Sequence, residues 1–597
     1  MDIAEKMASI PNAPKRWLDL NHFQTKFDSV EIREFLNMLT LERAIIVVAD
    51  TFYRTVDQSS FDRTDKWFGT RWKVATDPYE YMPIDDISKK LYFPPVNPYF
   101  TSDLSLITIK SENENAVKIF HKNSDSTKST LYSKPDFEFN MPKTVIRILI
   151  RCENFLQGFT EQSSFLTQDL KYAFYHVLPE FLKQSLTEKI YDAGLASLDF
   201  TVTPKNRGLV LTFYGITSTL EGFMMEILRF LKSPENWANI HFSNSRIALI
   251  SSIQNDIMNS RVSATVVRLD YLYPGEASDL GIWRGMSQPD FNLNNLKRFV
   301  DEMVRYASID MLVQGNTNTE FSNRLFGQVS EMLNVGDGYY TSNDGQILVR
   351  RLENVINEEK LAIRSFNTYT EDNHMIEKYY QYGELERTGW LMVALFVKII
   401  QEPVFNQLRT KKQLGYYVGA NMKDSDGVIG FSIRVQSSVE NFSVEQIQQG
   451  IDEFEQNVAS LISENLSVDE FNRYRESAIL AKSSPDRNLL DQFERNWYEI
   501  FRKLYDLKDT GDGQSREYNF TRRETDIEFY KNLSIEDFRD FVMQFLIDCR
   551  VLNVQVHGND MSVRNQTVGA DGQFEFMNDS DVQSMQGPSP EFIYQMK

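Results

Sequence analysis

The residues of this 597-residue chain best placed to do chemistry lie in one stretch, Phe405-Asn-Gln-Leu-Arg409-Thr-Lys-Lys-Gln413-Leu414-Gly415-Tyr416-Tyr417-Val418. A guanidinium fork and a phenol on one wall suit a peptide carbonyl, or the oxyanion that develops from it, because both offer hydrogen-bond donors. Arg409 precedes Tyr416 by seven residues, two helical turns, so the two side chains could point the same way. Gly415 falls where a helix would need a residue able to take a left-handed backbone. The helix is therefore expected to stop there, and a strand to begin at Tyr416. The same residues also read as an ordinary helix C-terminus whose basic last turn, Arg409, Lys411 and Lys412, complements the dipole.

The elements that must position this stretch follow from periodicity. The first module reads as strand Thr144–Cys152, a long helix Glu161–Ala193, a hairpin of Leu198–Val202 and Leu209–Tyr214, several helices, and strand Ile309–Gln314. The second reads as strands Gln346–Arg351, Leu361–Phe366 and Ile376–Gln381, helix Glu384–Gln401, and a hairpin of Tyr416–Asn421 and Val428–Val435. Further helices follow, then strand Val551–Val556. Val444, Ile447, Ile451, Phe454, Val458 and Leu461 alternate spacings of three and four, one apolar helical face. Ser443 with Gln446, and Ser467 with Glu470, are expected to cap helix starts.

Two landmarks point to a duplication: Val313-Gln-Gly-Asn316 pairs with Val556-His-Gly-Asn559, and Gly194-Leu-Ala-Ser197 with Gln413-Leu-Gly-Tyr416. In that alignment Ile190 stands where Arg409 does and Ser197 where Tyr416 does, so only the second copy carries the Arg/Tyr pair. The expected fold class is α+β, two tandem homologous domains, each a mostly antiparallel sheet with helices packed on one face. Ahead of them, residues 1–50 read as helices and a buried strand, Ala44–Ala49, the end of a further such domain. The proline-punctuated polar run 76–134 reads as an extended linker, and 561–597 as a poorly ordered tail apart from Phe592-Ile-Tyr.

Bulk properties exclude some partners. The formal charge of −20 argues against nucleic acid, whose phosphates demand a basic footprint. Cys152 and Cys549, the two cysteines, make neither a disulfide framework nor a thiolate metal site. They fit small apolar residues in a reducing compartment. The start lacks a signal-peptide pattern, and the longest apolar run, Trp390 to Ile400, is too short for a bilayer, so no membrane partner and a cytoplasmic location are expected.

Leu-Arg-Thr-Lys-x-Gln-Leu-Gly-Tyr resembles the signature of the C-terminal half of insulin-degrading-enzyme-like zinc metalloendopeptidases, the insulinase or pitrilysin family. Asp62-Arg-Thr-Asp-Lys-Trp67-Phe-Gly69-Thr resembles a segment near the end of the second of that family's four domains. The resemblance implies these boundaries: 1–75 the remnant of a second domain, 76–134 the linker between halves, 135–340 a third domain, 341–560 a fourth carrying the Arg/Tyr element. It implies that Arg409 and Tyr416 reach substrate held at a zinc ion across a closed chamber, with Phe405 lining the pocket.

The family's zinc motif is His-x-x-Glu-His on a helix, with a distant Glu as third ligand. No two of the six histidines here lie within five residues of each other. His374-Met-Ile-Glu377-Lys378 has the form except for its last residue, and an ammonium cannot ligate zinc. The segment also alternates like a strand into Gln381. No metal ligand is therefore assigned, and zinc is expected in a missing N-terminal half, in cis or on a separate chain. The implied function is the non-catalytic half of a peptide-enclosing endopeptidase, inactive alone. A peptide-binding or scaffolding subunit derived from a peptidase is the alternative.

Overall fold

The computed structural model describes residues 28–40, 43–45, 47, 49, 60–74, 95–107, 117–124, 127–156, 166–273, 278–305, 307–333, 348–352, 361–366, 372–503, 520, 522–558 and 593–595. The chain divides into two units, Met1–Pro95 and Val96–Lys597.

In the first unit, helix α1 (Ser29–Met38) is capped by Asp28, whose carboxylate accepts from the amides of Val30 and Glu31 at 3.1 and 3.2 Å. Strands β1 (Arg63–Thr64) and β2 (Arg71–Trp72) form a ribbon closed by Asp65, which accepts from the Trp67 and Phe68 amides, and by Gly69 at φ 65°. The buried strand expected at 44–49 differs. Its described residues form no strand, and Ile45 and Val47 are 93% and 85% exposed. An apolar run forms a strand only where a ladder partner exists, and none pairs with it among the described residues.

The second unit holds two sheets. The first runs in the order β3-β4-β8-β5-β7-β6, from β3 (Lys118–Ser124), β4 (Thr127–Pro135), β5 (Lys143–Arg151), β6 (Asp199–Lys205), β7 (Gly208–Ile216) and β8 (Ser308–Gly315). The second runs β10-β14-β11-β13-β12, from β10 (Leu361–Phe366), β11 (Asn373–Glu384), β12 (Tyr417–Ser425), β13 (Val428–Ser438) and β14 (Arg550–His557). Each sheet is antiparallel except for one parallel pair, β4 with β8 and β10 with β14. The equivalence β4-β8-β5-β7-β6 to β10-β14-β11-β13-β12 is the expected duplication, written in topology. A separate short pair joins β9 (Leu348–Arg350) to β15 (Ile593–Gln595) within the tail.

Two expectations need correction. The run 118–135, read as linker, forms β3 and β4, so the first module starts before residue 135. Its hydroxyls are not surface decoration: Ser129 Oγ accepts from the Ile309 amide at 3.0 Å, and Ser133 Oγ meets Ser322 Oγ at 2.9 Å. Polar residues satisfied inside a ladder look like linker in composition. The single helix expected at 161–193 is two, α2 (Gln168–Ser185), capped by Thr167, and α3 (Thr187–Leu195); residues 157–165 lie outside the described residues.

Each sheet packs its own helices on one face, giving two large apolar cores. The other face of each sheet is covered by a helix from the other module. Helix α4 (Ser260–Leu272) sets Ala264 and Leu272 against Met375, Tyr379, Leu552 and Val554 of the second sheet. The second module in turn contributes α5 (Arg387–Val404), α6 (Val444–Ser460), α7 (Val468–Ser483) and α8 (Leu489–Lys503). Helix α8 sets Leu489, Phe493, Trp497 and Ile500 against Tyr132, Val145, Leu149 and Leu312 of the first sheet. Arg147 joins this seam, its guanidinium bidentate to Glu494 at 2.8 and 2.6 Å.

Candidate functional site

Helix α5 buries Leu391, Leu395, Phe396, Ile399 and Ile400 in the second core. With the turn that follows, Arg387–Lys411 is the one helix among the described residues long and apolar enough to cross a membrane; half of that window is buried in the fold, as in a core helix. Past Pro403 the helix widens into a π-type turn, Phe405–Lys411. The Lys412 amide donates to the Gln407 carbonyl and the Leu414 amide to the Leu408 carbonyl, both at 3.0 Å. The wide turn keeps Leu408 fully buried while Phe405 is 42% exposed and Arg409 half-buried.

Arg409 and Tyr416 do meet, but not by helical periodicity, because the helix ends before Tyr416. The guanidinium lies 4.8 Å from the ring centroids of both Phe405 and Tyr416. Two aromatic faces hold the cation without consuming its in-plane N–H donors. Among the described residues no carboxylate lies within ion-pair distance of Arg409. The neighbouring Lys412, by contrast, is paired with Glu453. Tyr416 is 85% exposed and its hydroxyl meets no partner among the described residues. Beside them opens a recess of about 530 Å³, lined by Asn373, Gln413, Gly415, Gln436, Ser438 and Asn441 together with Arg409 and Tyr416. Its walls are mostly amides and hydroxyls, and among the described lining residues Arg409 alone carries a formal charge.

Gly415 is needed, though not for a left-handed backbone. The left-handed residue is Gln413, at φ 54°. Gly415 sits where a Cβ would come 1.8 Å from the Gln436 carbonyl oxygen. The duplication shows what is special here. Ladder register makes Asp199, opposite Tyr214, equivalent to Tyr417, opposite Gln436. The left-handed residues are Ser197, at φ 60°, two before that point, and Gln413, four before it. Gly415 and Tyr416 are therefore two extra residues in the second copy, and the expected pairing of Ser197 with Tyr416 does not hold.

The near-miss zinc motif lies on strand β11, as its alternation predicts. His374 is buried, and its Nδ1 accepts from the Gly558 amide at 3.0 Å. Glu377 points to the opposite face, among Arg268, Lys423 and Arg434 at 3.4, 3.0 and 3.9 Å. Burial pushes its carboxyl up, but the three cations outweigh burial and hold it below the usual carboxylate range. Lys378 is fully buried and donates to Asp452 at 2.6 Å and to Glu455. These donors do not fit a zinc ion, and among the described residues no group of three His, Cys, Asp or Glu side chains is placed to hold one.

Comparison with known proteins bears on this arrangement. Residues 1–274 match the middle or third domain of peptidase M16, and residues 395–497, which include Arg409 and Tyr416, match domain 4 of the C-terminal lobe of PQQ synthase PqqF-like proteins. Nardilysin of Rattus norvegicus is 24% identical over 511 residues, 85% of this chain and 41% of its own length. Insulin-degrading enzyme of Homo sapiens is 23% identical over 546 residues, 90% of this chain and 50% of its own. The chain belongs to the insulinase family of peptidases. As an insulinase-family chain it spans half or less of the length of these relatives. Crystal structures share the insulinase-family fold. Pitrilysin covers all of this chain with 59% of its own, at 17% identity and TM-score 0.71. A peptidase M16 inactive domain from Pseudomonas fluorescens covers 74% of this chain with 98% of its own, at 13% identity and TM-score 0.52.

Proposed function

We propose that this chain is the substrate-holding, non-catalytic half of an insulinase-type endopeptidase, acting in a reducing, cytoplasmic setting on unfolded peptides. Arg409 and Tyr416 donate hydrogen bonds to the carbonyl of the bond to be cut and to the oxyanion that forms from it, and Phe405 fixes the guanidinium. The observation that carries this reading is the Arg409 cation, gripped by two rings, free of any carboxylate among the described residues, and set at the mouth of a polar recess. A structural guanidinium at a helix end would find an acid nearby, as Lys412 does with Glu453. The donors of β11 do not fit zinc, so hydrolysis belongs to a metal-bearing N-terminal polypeptide, in cis or in trans.

Complementation tests this. The chain is mixed with a separately made zinc-bearing N-terminal half, and cleavage of a quenched peptide is followed. Cleavage should require both parts. Tyr416→Phe should lower turnover about 100-fold, the scale of one lost oxyanion donor at about 3 kcal/mol. The thermal melt of that variant should not move, because Tyr416 is 85% exposed. No gain in cleavage on mixing would favour a peptide-binding scaffold instead, and unchanged turnover would remove Tyr416 from the site.

A further inference from the structure

The register that equates Tyr214 with Gln436 also makes Ile148 of β5 equivalent to Lys378 of β11, and Met311 and Val313 of β8 equivalent to Asn553 and Gln555 of β14. The helices that follow align as well. Leu220, Met224, Ile227 and Leu231 of the helix Thr217–Lys232 recur as Ile447, Ile451, Phe454 and Val458 of α6, each set in its own core. Met225 and Leu228 then stand where Asp452 and Glu455 stand. Five buried apolar side chains on one patch of the first copy are thus polar or charged in the second. The patch stays buried at its centre, with Lys378 0% exposed, Asn553 5% and Gln555 7%. Lys378 donates to Asp452 at 2.6 Å and to Glu455. Gln448 Oε1 accepts from Asn553 and Gln555 at 2.8 and 3.3 Å, while Asn553 Oδ1, buried, meets no partner. A buried ion pair seldom stabilises a fold more than apolar residues of like volume. The first copy shows that the fold packs with such residues, so the polar set answers to what lies over it.

In the first copy this patch is roofed by the helix Thr319–Leu333. Its Ser322 meets Ser133, which stands opposite Val313, and its Arg324 is bidentate to Glu221 at 2.6 and 2.8 Å. In the second copy the equivalents of Val313 and Glu221 are Gln555 and Gln448. They line a recess of about 450 Å³ together with Glu445, Asp452, Glu453 and Gln456. Among its described lining residues three are acids and none is basic. We propose that this recess is the seat of a basic amphipathic helix from a partner protein, lying along α6 as Thr319–Leu333 lies along its own neighbour. Glu445 and Asp452 are seven residues apart, two turns of α6, so arginines two turns apart on the partner reach both. The buried acceptor of Asn553 and the amides of Gln448 and Gln555 favour an occupant that brings donors. Charge names the occupant. Residues 559–597 of this chain hold two basic residues, Arg564 and Lys597, against six acids, and a second copy carries −20, so neither complements an acidic seat. The seat is separate from Arg409 and Tyr416 and does not rest on their reading.

The test uses the full chain and a fluorescein-labelled, stapled helical peptide of the length of Thr319–Leu333, with arginines two turns apart on one face, read by anisotropy. Thermal melts run alongside. The peptide should bind, and more weakly as salt rises. A version of the same composition broken by a central proline should bind about tenfold more weakly, because charge without the helix does not fill the seat. Glu445→Lys should weaken binding about tenfold, and Gln456→Glu should strengthen it about threefold. Both positions are exposed, so neither variant should lose the parent's cooperative melt. No binding, equal binding of the broken peptide, or affinity indifferent to both substitutions overturns the proposal. An excess of an unlabelled, unstructured peptide should not compete. Competition would mean that the helix is held at the recess beside Arg409, and would overturn the seat on α6 as well.

Discussion

Replacing Gly415 by alanine should damage the fold and the candidate site together. A Cβ built there lies 1.8 Å from the Gln436 carbonyl oxygen, 2.8 Å from its carbon and 3.3 Å from the Ser437 Cα. Carbon and oxygen normally approach to about 3.3 Å, so the strand end must retreat by roughly 1.5 Å. The clash is backbone on backbone, so no rotamer change relieves it. Overpacking of this kind typically costs about 1–3 kcal/mol, and the upper part of that range applies where the ladder itself must part. For a module of this size that is a melting shift of about 4–10 °C. Gln436 and Ser438 line the recess beside Arg409, so peptide affinity should fall as well. The assay is a thermal melt of the isolated chain with Gly419→Ala as control, since that position has no described atom within 3.8 Å of the added carbon. If Gly415→Ala melts with the parent chain, the close approach does not exist and the site geometry built on it fails.

Gln413→Gly should do the opposite. A side chain at φ 54° costs about 1 kcal/mol, and removing it recovers part of that after the entropy glycine adds to the unfolded chain, a gain of about a few tenths of a kcal/mol by urea unfolding. Asp526 predicts a pH dependence. Burial pushes its carboxyl up, but hydrogen bonds from Arg387 and Lys482 outweigh burial and hold it below the ordinary range. A lowered folded value gives stability that is complete above the unfolded pKa, about 4, and is lost as pH falls through the folded value. Asp526→Asn should therefore destabilise the chain at neutral pH by about 3 kcal/mol, and its acid melting curve should be flatter than the parent's below about pH 4.

How much of this was legible in the sequence depended on whether the signal was periodic. The helix from Val444 was readable from its apolar spacing. Its capping box is present in full, with the Ser443 amide donating to Gln446 Oε1 at 2.9 Å and the Gln446 amide to Ser443 Oγ at 3.3 Å. Strand β11 was readable from its alternation, which also disposed of the false zinc motif. Strands β3 and β4 were not, because the β4 serines find partners elsewhere in the fold, Ser133 with Ser322 and Ser129 with the Ile309 amide, while their composition imitates a linker. The Arg409 and Tyr416 contact was found for a partly mistaken reason. Helical spacing suggested it, but a widened turn and a two-residue insertion produce it, and neither has a periodic signature. The reciprocal covering by α4 and α8 is tertiary, and no local pattern marks it.

That reciprocal covering bears on how the second copy could carry the proposed site without losing its fold. Both faces of each sheet are occupied, one by its own helices and the other by a helix from its duplicate, so substitution inside either core disturbs two modules at once. The connection between α5 and β12 escapes this constraint. Leu408 and Leu414, 0% and 4% exposed, anchor the turn in the core. Between them and the strand, Gly415 and Tyr416 are the two residues that the first copy does without. Phe405 and Tyr416 project from that anchored turn into solvent, and the guanidinium between them is held by their rings and not by a buried charge. The proposed binding chemistry sits where the packing does not depend on it. This is why loss of the Tyr416 hydroxyl should appear in turnover and not in the melt, whereas Gly415, whose missing side chain the ladder does need, should report in both.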